Sequence, residues 1–163
     1  MPTFAGTEFC AGTSVNVGFT TTGTFAGGNQ FNVLLSDENG NFNSPQIIGT
    51  TNIAGSVLCT IPNNAVGGEN YRIKVVSTDP AASGNYNPVA LAIHAQNLSL
   101  VSPSNDFSAG NSTKKAIQSI SATNKVNSPA KVIYQAGNAI LLNAGFEAKA
   151  GTVFRAEIGG CMN

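Results

Sequence analysis

Tryptophan is absent from this sequence, histidine occurs once, and charge is scarce. Charged residues make up 10% of the 163 positions, against a usual share of about a quarter. Eight Lys plus Arg cancel eight Asp plus Glu, and no basic run stands out. That balance argues against nucleic acid or an anionic membrane surface as a partner. Insertion into a membrane is not expected either, because no window approaches the roughly 20 apolar residues that a spanning helix needs. The opening Met1-Pro2-Thr3-Phe4 lacks the basic start and apolar run of a signal peptide. If the chain is secreted, it is a piece of a longer precursor. Helical spacing is nearly missing as well, since apolar residues recur at every second position.

Cysteine is sparse. Cys10, Cys59 and Cys161 contain no C-x-x-C pair, and with His94 as the single histidine they suit no metal site. No cofactor is implied. Two readings of the cysteines stand side by side: a disulfide with one thiol left over, Cys10 and Cys59 being the pair, or three small buried residues.

What the sequence does have is Asn, Ser, Thr and Gly around short alternating apolar runs, a texture shared by many secreted bacterial β-proteins. Its 42% hydrophobic content is enough for a globular core. Val15, Val17 and Phe19 share one face of a strand, and further strands are predicted over 30–36, 46–49, 55–61, 71–77 and 89–94. Asp37-Glu38-Asn39-Gly40 is a tight reversal. This spacing predicts an immunoglobulin-like β-sandwich over residues 1–95.

The texture then changes, and Ser108–Thr113 reads as a flexible polar stretch. Beyond it come the pairs Ile120/Ala122, Val132/Tyr134, Ile140/Leu142 and Phe146/Ala148, then Phe154, Ala156 and Ile158. Strands this short bury a face only when stacked as rungs of a coil. Glycines 137, 145 and 151 would turn the corners, and Tyr134 is assigned to the core. Residues 96–163 are therefore predicted to form a small β-solenoid, and the fold class is all-β.

The residues also resemble known families. The segment "ISATNKVNSPAKVIYQAGNAILLNAGFEAKAGTVFRAEIGGC" is similar to the three-coathanger-stack module of Bacteroidota secreted proteins. The stretches "FCAGTSVNVGFTTTG", "LLSDENGNF" and "IPNNAVGGENYRIKVVSTDP" resemble an immunoglobulin-like repeat of large surface proteins from the same bacteria. Those resemblances imply secretion, by the type IX route, as part of an adhesin or of an enzyme's non-catalytic tail. They carry over no active site. No type IX sorting domain is recognisable after Cys161, and Cys59 stands where a small non-cysteine residue would be expected.

Candidate chemistry is thin. His94 ends a predicted strand and has neither a G-x-S-x-G nucleophile nor an orienting acid in an evident motif, so no catalytic residue is assigned. Glu8, Asp37, Glu38, Glu69, Asp79, Asp106, Glu147 and Glu157 fall mostly in turns. Asp37–Asn41 resembles a calcium loop only superficially, because Phe42 stands where the sixth-position glycine belongs. Gly27-Gly28 and Gly67-Gly68 are turn glycines without the following helix of a phosphate cradle. For a sugar, which stacks on an aromatic ring beside polar groups, the candidate contacts are Tyr86, Arg72 and Asn85. Low charge leaves strand edges unguarded, and Pro2–Glu8 is a segment able to lie outside its own sandwich.

The expectation is a non-catalytic extracellular structural or adhesive module at the cell surface. Its partners would be neighbouring domains of a longer precursor, copies of itself, or surface glycans. The alternatives are a self-assembling filament subunit and a carbohydrate-binding accessory of a polysaccharide-degrading enzyme.

Overall fold

In the computed structural model, which describes residues 1–161, the chain is all-β. It divides into two compact units, the first being Met1–Ile93 and the second beginning at His94.

The first unit contains β1 (Glu8–Cys10), β2 (Ser14–Phe19), β3 (Phe31–Leu35), β4 (Gln46–Thr51), β5 (Gly55–Thr60), β6 (Gly68–Tyr71), β7 (Ile73–Thr78), β8 (Ala81–Ser83) and β9 (Leu91–His94). They pair as β2-β5, β1-β9-β6 and β4-β3-β7-β8. Alternation decides what is buried. Val15, Val17 and Phe19 of β2 meet Phe31, Val33 and Leu35 of β3, Val57 and Cys59 of β5, Ile73 of β7, and Leu91 and Ile93 of β9 in one core. Phe31 sits at its aromatic end, 5.1 Å from Phe19 and 4.9 Å from Phe25 between ring centroids.

Three expectations are corrected in this unit. Cys59 does not pair with Cys10: it is a free, buried thiol. Strand alternation points its side chain into the core, opposite Val15 across the β2–β5 pair. Cys10 is itself disulfide-bonded, so Cys59 is not its partner. The Pro2–Glu8 segment does not lie outside its sheet. Thr3 and Gly18 exchange 2.8 Å backbone bonds, and Thr7 accepts the N–H of Ala92 at 2.8 Å. The strand predicted over 71–77 is broken, because Tyr71 ends β6 and pairs with Leu91, while Ile73 starts β7 and pairs with Leu35.

The second unit contains β10 (Asn97–Leu100), β11 (Asn111–Ala116), β12 (Ser119–Ala122), β13 (Lys125–Val126), β14 (Lys131–Ala136), β15 (Ala139–Leu142), β16 (Glu147–Ala148) and β17 (Val153–Ile158). Every pair here is parallel and in register. Asn97, Ser119 and Ala139 stand one above another, as do Asn111, Lys131 and Val153. Phe107 bridges to Val126, extending the third face, β13-β16, into the first turn. The unit is thus a coil of three-stranded turns. Rung 1 carries β10 and β11, rung 2 carries β12, β13 and β14, and rung 3 carries β15, β16 and β17.

Rung 2 is sealed between its neighbours. Ile120, Ala122, Val126, Val132, Tyr134 and Ala136 are all 0% exposed, which is the stacking that the alternating pairs predicted. Side chains follow the register: Ser119 donates to Asn97 Oδ1 at 2.7 Å, and Lys125 approaches Glu147 at 3.9 Å. Gly145 and Gly151 turn their corners at φ +104° and +86°. The polar stretch Ser108–Thr113 is a correction, since residues 111–113 begin β11. Parallel pairing with Lys131–Ala136 supplies the backbone partners that its composition conceals.

Candidate functional site

The candidate site lies on the outer side of the β4-β3-β7-β8 sheet. Ile73 is fully buried, so strand alternation sends its neighbours Arg72 and Lys74 to the opposite face. Lys74 sits across from Leu34, which is itself paired with Ile47, 61% exposed. Two loops then bring aromatic rings to these cations. The Arg72 guanidinium carbon lies 5.5 Å from the centre of the Tyr86 ring, and Lys74 Nζ lies 4.4 Å from that of Phe42. The two rings are stacked, with centroids 6.2 Å apart and planes inclined by 27°. Tyr86 remains 53% exposed. Each cation–π contact at such a surface is worth about 0.5–1 kcal/mol.

Both loops are tied at the root. Asn87 is buried and works with both ends of its amide: Oδ1 accepts the N–H of Ile73, and Nδ2 donates to the carbonyl of Val89. Arg72 Nη1 donates to the carbonyls of Asn87 and Pro88 at 3.0 and 2.7 Å. Tyr86 is therefore anchored by the residues that follow it. Phe42 follows the reversal at Asp37, whose Oδ1 accepts the N–H groups of Asn39 and Asn41 at 3.0 and 2.7 Å. The Asn41 N–H, with help from the Asn41 side chain and the Asn39 and Gly40 amides, outweighs desolvation and holds the Asp37 carboxyl below the usual carboxylate range. Gly40 completes the reversal at φ +86°.

The result is a stacked pair of aromatic rings, Tyr86 exposed and Phe42 half-buried, with two cations against it. Neither Arg72 nor Lys74 is in an ion pair among the described residues. Rings present flat apolar faces, and the guanidinium and ammonium present donors and positive charge. That combination suits a ligand with C–H faces and oxygen acceptors, such as a sugar.

Of the residues expected from the sequence, Tyr86 and Arg72 are brought together. Asn85 is not part of the shelf; it lines a separate cleft of about 190 Å³ with Phe25, Phe31 and Val75. That volume falls below the roughly 300–1,000 Å³ of ordinary small-molecule sites. Phe42 and Lys74 were missed. Lys74 had a signal, since the alternation of Arg72, Ile73 and Lys74 places both cations on one face. Phe42 had only its position after a tight turn, with nothing local to say which ring it would meet. His94 ends β9. Among the described residues, no three His, Cys, Asp or Glu side chains gather in a way that could hold a metal ion.

No protein-family model, no curated protein and no solved structure matches this chain.

Proposed function

We propose that the chain is a non-catalytic extracellular module of a secreted bacterial surface protein, structural in its build and adhesive through the Tyr86–Phe42 shelf. The observation that carries this reading is the stacked ring pair with Arg72 and Lys74 against it, held out from a sheet whose other face is core. Reading the first unit as an immunoglobulin-like repeat is supported by antiparallel pairing of β2 with β5 and of β3 with β4 and β7. Reading the second as a three-coathanger stack is supported by its three in-register turns. Both readings carry the Bacteroidota and type IX expectations with them. Surface glycans are the partner that the shelf suits.

The same shelf favours a second role, a carbohydrate-binding accessory of a polysaccharide-degrading enzyme. A screen of the chain against immobilised glycans, including cell-wall and storage polysaccharides, separates the two by what is retained. Truncating a central aromatic or arginine anchor costs upward of about 2 kcal/mol, so Tyr86→Ala and Arg72→Ala should each weaken retention by more than tenfold. Unchanged retention by both variants, with native melting curves, would remove the shelf from the function.

A further inference from the structure

Rung 3 leaves the core of the coil open at its end. Phe146 and Phe154 pack 4.9 Å apart and lie on Tyr134 of rung 2. Above them the seal stops. Leu142 is 46% and Ile158 65% exposed, whereas their register partners in rung 2, Ala122 and Ala136, are 0% exposed. The described chain does not return to cover this face. After β17, Gly160 lies against Ala136 and Gly137, and the N–H of Cys161 donates to Ala116 of rung 1 at 3.4 Å. The strand has turned back along the coil, away from the open end.

The backbone edge is open too. Val153 and Gly159 donate their N–H groups to Ala130 and Ala136 at 3.1 and 2.9 Å. Strand parity then turns residues 153, 155 and 157 toward β14, and leaves the N–H and C=O groups of Phe154, Ala156 and Ile158 on the free edge. Edges of this kind are normally blocked by lysine, proline or a bulge. Val153-Phe-Arg-Ala-Glu-Ile158 has no lysine or proline and pairs with β14 without a register shift.

The residue order of β17 says what fits there. About Ala156 it is self-complementary: Phe154 and Ile158 are both apolar and face inward, while Arg155 and Glu157 are of opposite charge and face outward. We infer that rung 3 is the twofold interface of a homodimer, with β17 pairing antiparallel to β17 of a second copy about Ala156. Ala156 then opposes its counterpart as a hydrogen-bonded pair, and Phe154 opposes Ile158 in the same way. Every free-edge N–H and C=O of residues 154, 156 and 158 finds a partner. Arg155 falls opposite Glu157 at non-hydrogen-bonded positions, where cross-strand side chains approach most closely. Such an interface is isologous and closes at two.

Within one copy Arg155 already meets Glu157 at 2.5 Å, and Gln135 donates to Glu157 at 3.1 Å. Dimerisation therefore exchanges one ion pair for another. The charges set register and orientation, and the affinity comes from covering Leu142, Phe146, Phe154 and Ile158 and from pairing the free edge. This inference does not depend on the adhesive reading.

Sedimentation equilibrium of the whole chain over a range of concentrations tests it. The expected result is a doubling of mass as concentration rises, with nothing larger. Arg155→Glu makes both facing positions acidic, and Glu157→Arg makes both basic. Each variant alone should stay monomeric, and a one-to-one mixture should regain the doubled mass as a heterodimer. Ala156→Pro removes an N–H that faces only the free edge, so it should abolish the dimer while the monomer's melting curve survives. A parent chain that stays monomeric, open-ended polymers, or a dimer indifferent to the charge variants would each overturn the proposal.

Discussion

The phenol of Tyr134 donates a 2.9 Å hydrogen bond to Oδ1 of Asn124, and both side chains are completely buried. Asn124 in turn donates through Nδ2 to the carbonyl of Asn105 at 2.8 Å. One polar side chain thus joins the core of rung 2 to the corner of rung 1. Tyr134→Phe leaves Oδ1 of Asn124 buried without its donor, which should cost about 1–3 kcal/mol. Urea denaturation measures this. A loss below about 0.5 kcal/mol, the lower limit for an ordinary intramolecular hydrogen bond, would mean that the pair contributes nothing specific.

Two corner glycines should fail for different reasons. A Cβ on Gly137 would stand 2.1 Å from the carbonyl oxygen of Ile117, a backbone atom that cannot step aside. Gly137→Ala should therefore cost about 1–3 kcal/mol by overpacking. Gly145 has room, its nearest contact being 3.6 Å, but holds φ at +104°. Gly145→Ala should lower the melting temperature through backbone strain alone. An unshifted melt in the second variant would show that the corner does not require glycine.

Alkaline pH should destabilise the first unit in a defined window. Burial, with the nearby Glu38 and Asp37 charges adding to it, pushes the Tyr71 phenol up from 10.0 to about 12, and burial pushes the Cys59 thiol up from 9.0 to about 11. Both groups are neutral when protonated and are favoured in that form by the fold. Their contribution is fully present below pH 9 and is lost as the pH climbs through 9.0 to about 11 for Cys59 and 10.0 to about 12 for Tyr71. Denaturant midpoints should be flat near neutrality and fall across that range. Tyr71→Phe should make the fall above pH 10.0 shallower. It would also lose the 2.7 Å bond to the Val66 carbonyl, worth about 1 kcal/mol. A slope identical to the parent's would show that Tyr71 does not govern it.

Cys59 should be chemically silent in the folded chain. It is 0% exposed, and its thiol is held protonated well above neutral pH, so almost no thiolate is available to an alkylating reagent. Labelling followed by mass analysis should give no adduct at Cys59 at pH 7 and full modification in denaturant. Rapid native labelling would place this thiol outside the core.

Where alternation was clean, the fold was readable. Val15/Val17/Phe19 and Val132/Tyr134 carry period-two runs whose inward faces are the observed cores. The runs failed where pairing, not side-chain type, makes the strand. Asn111-Ser-Thr-Lys-Lys-Ala116 has one apolar residue, and only Lys131–Ala136 beneath it reveals β11. Cys59 shows a similar limit. Counting cysteines left a bridge and a buried residue side by side, and the pairing of β5 with β2, which sets Cys59 opposite Val15 in the core, decides for the buried thiol. The shelf was half legible for the same reason. Tyr86 and Arg72 stood out by type, whereas Phe42 comes from a loop more than forty positions away from Tyr86, and only the folded sheet brings the rings together.

The one-sided pairing of β17 has a kinetic signature. Its amides at 153, 155, 157 and 159 face β14, and those at 154, 156 and 158 face the open edge. In deuterated water the strand should therefore exchange with a beat of two, slow and fast residues alternating along a single element. A dimer closed about Ala156 would erase that beat. The same seven residues would then report the association state of the chain, residue by residue, without any label or mutation.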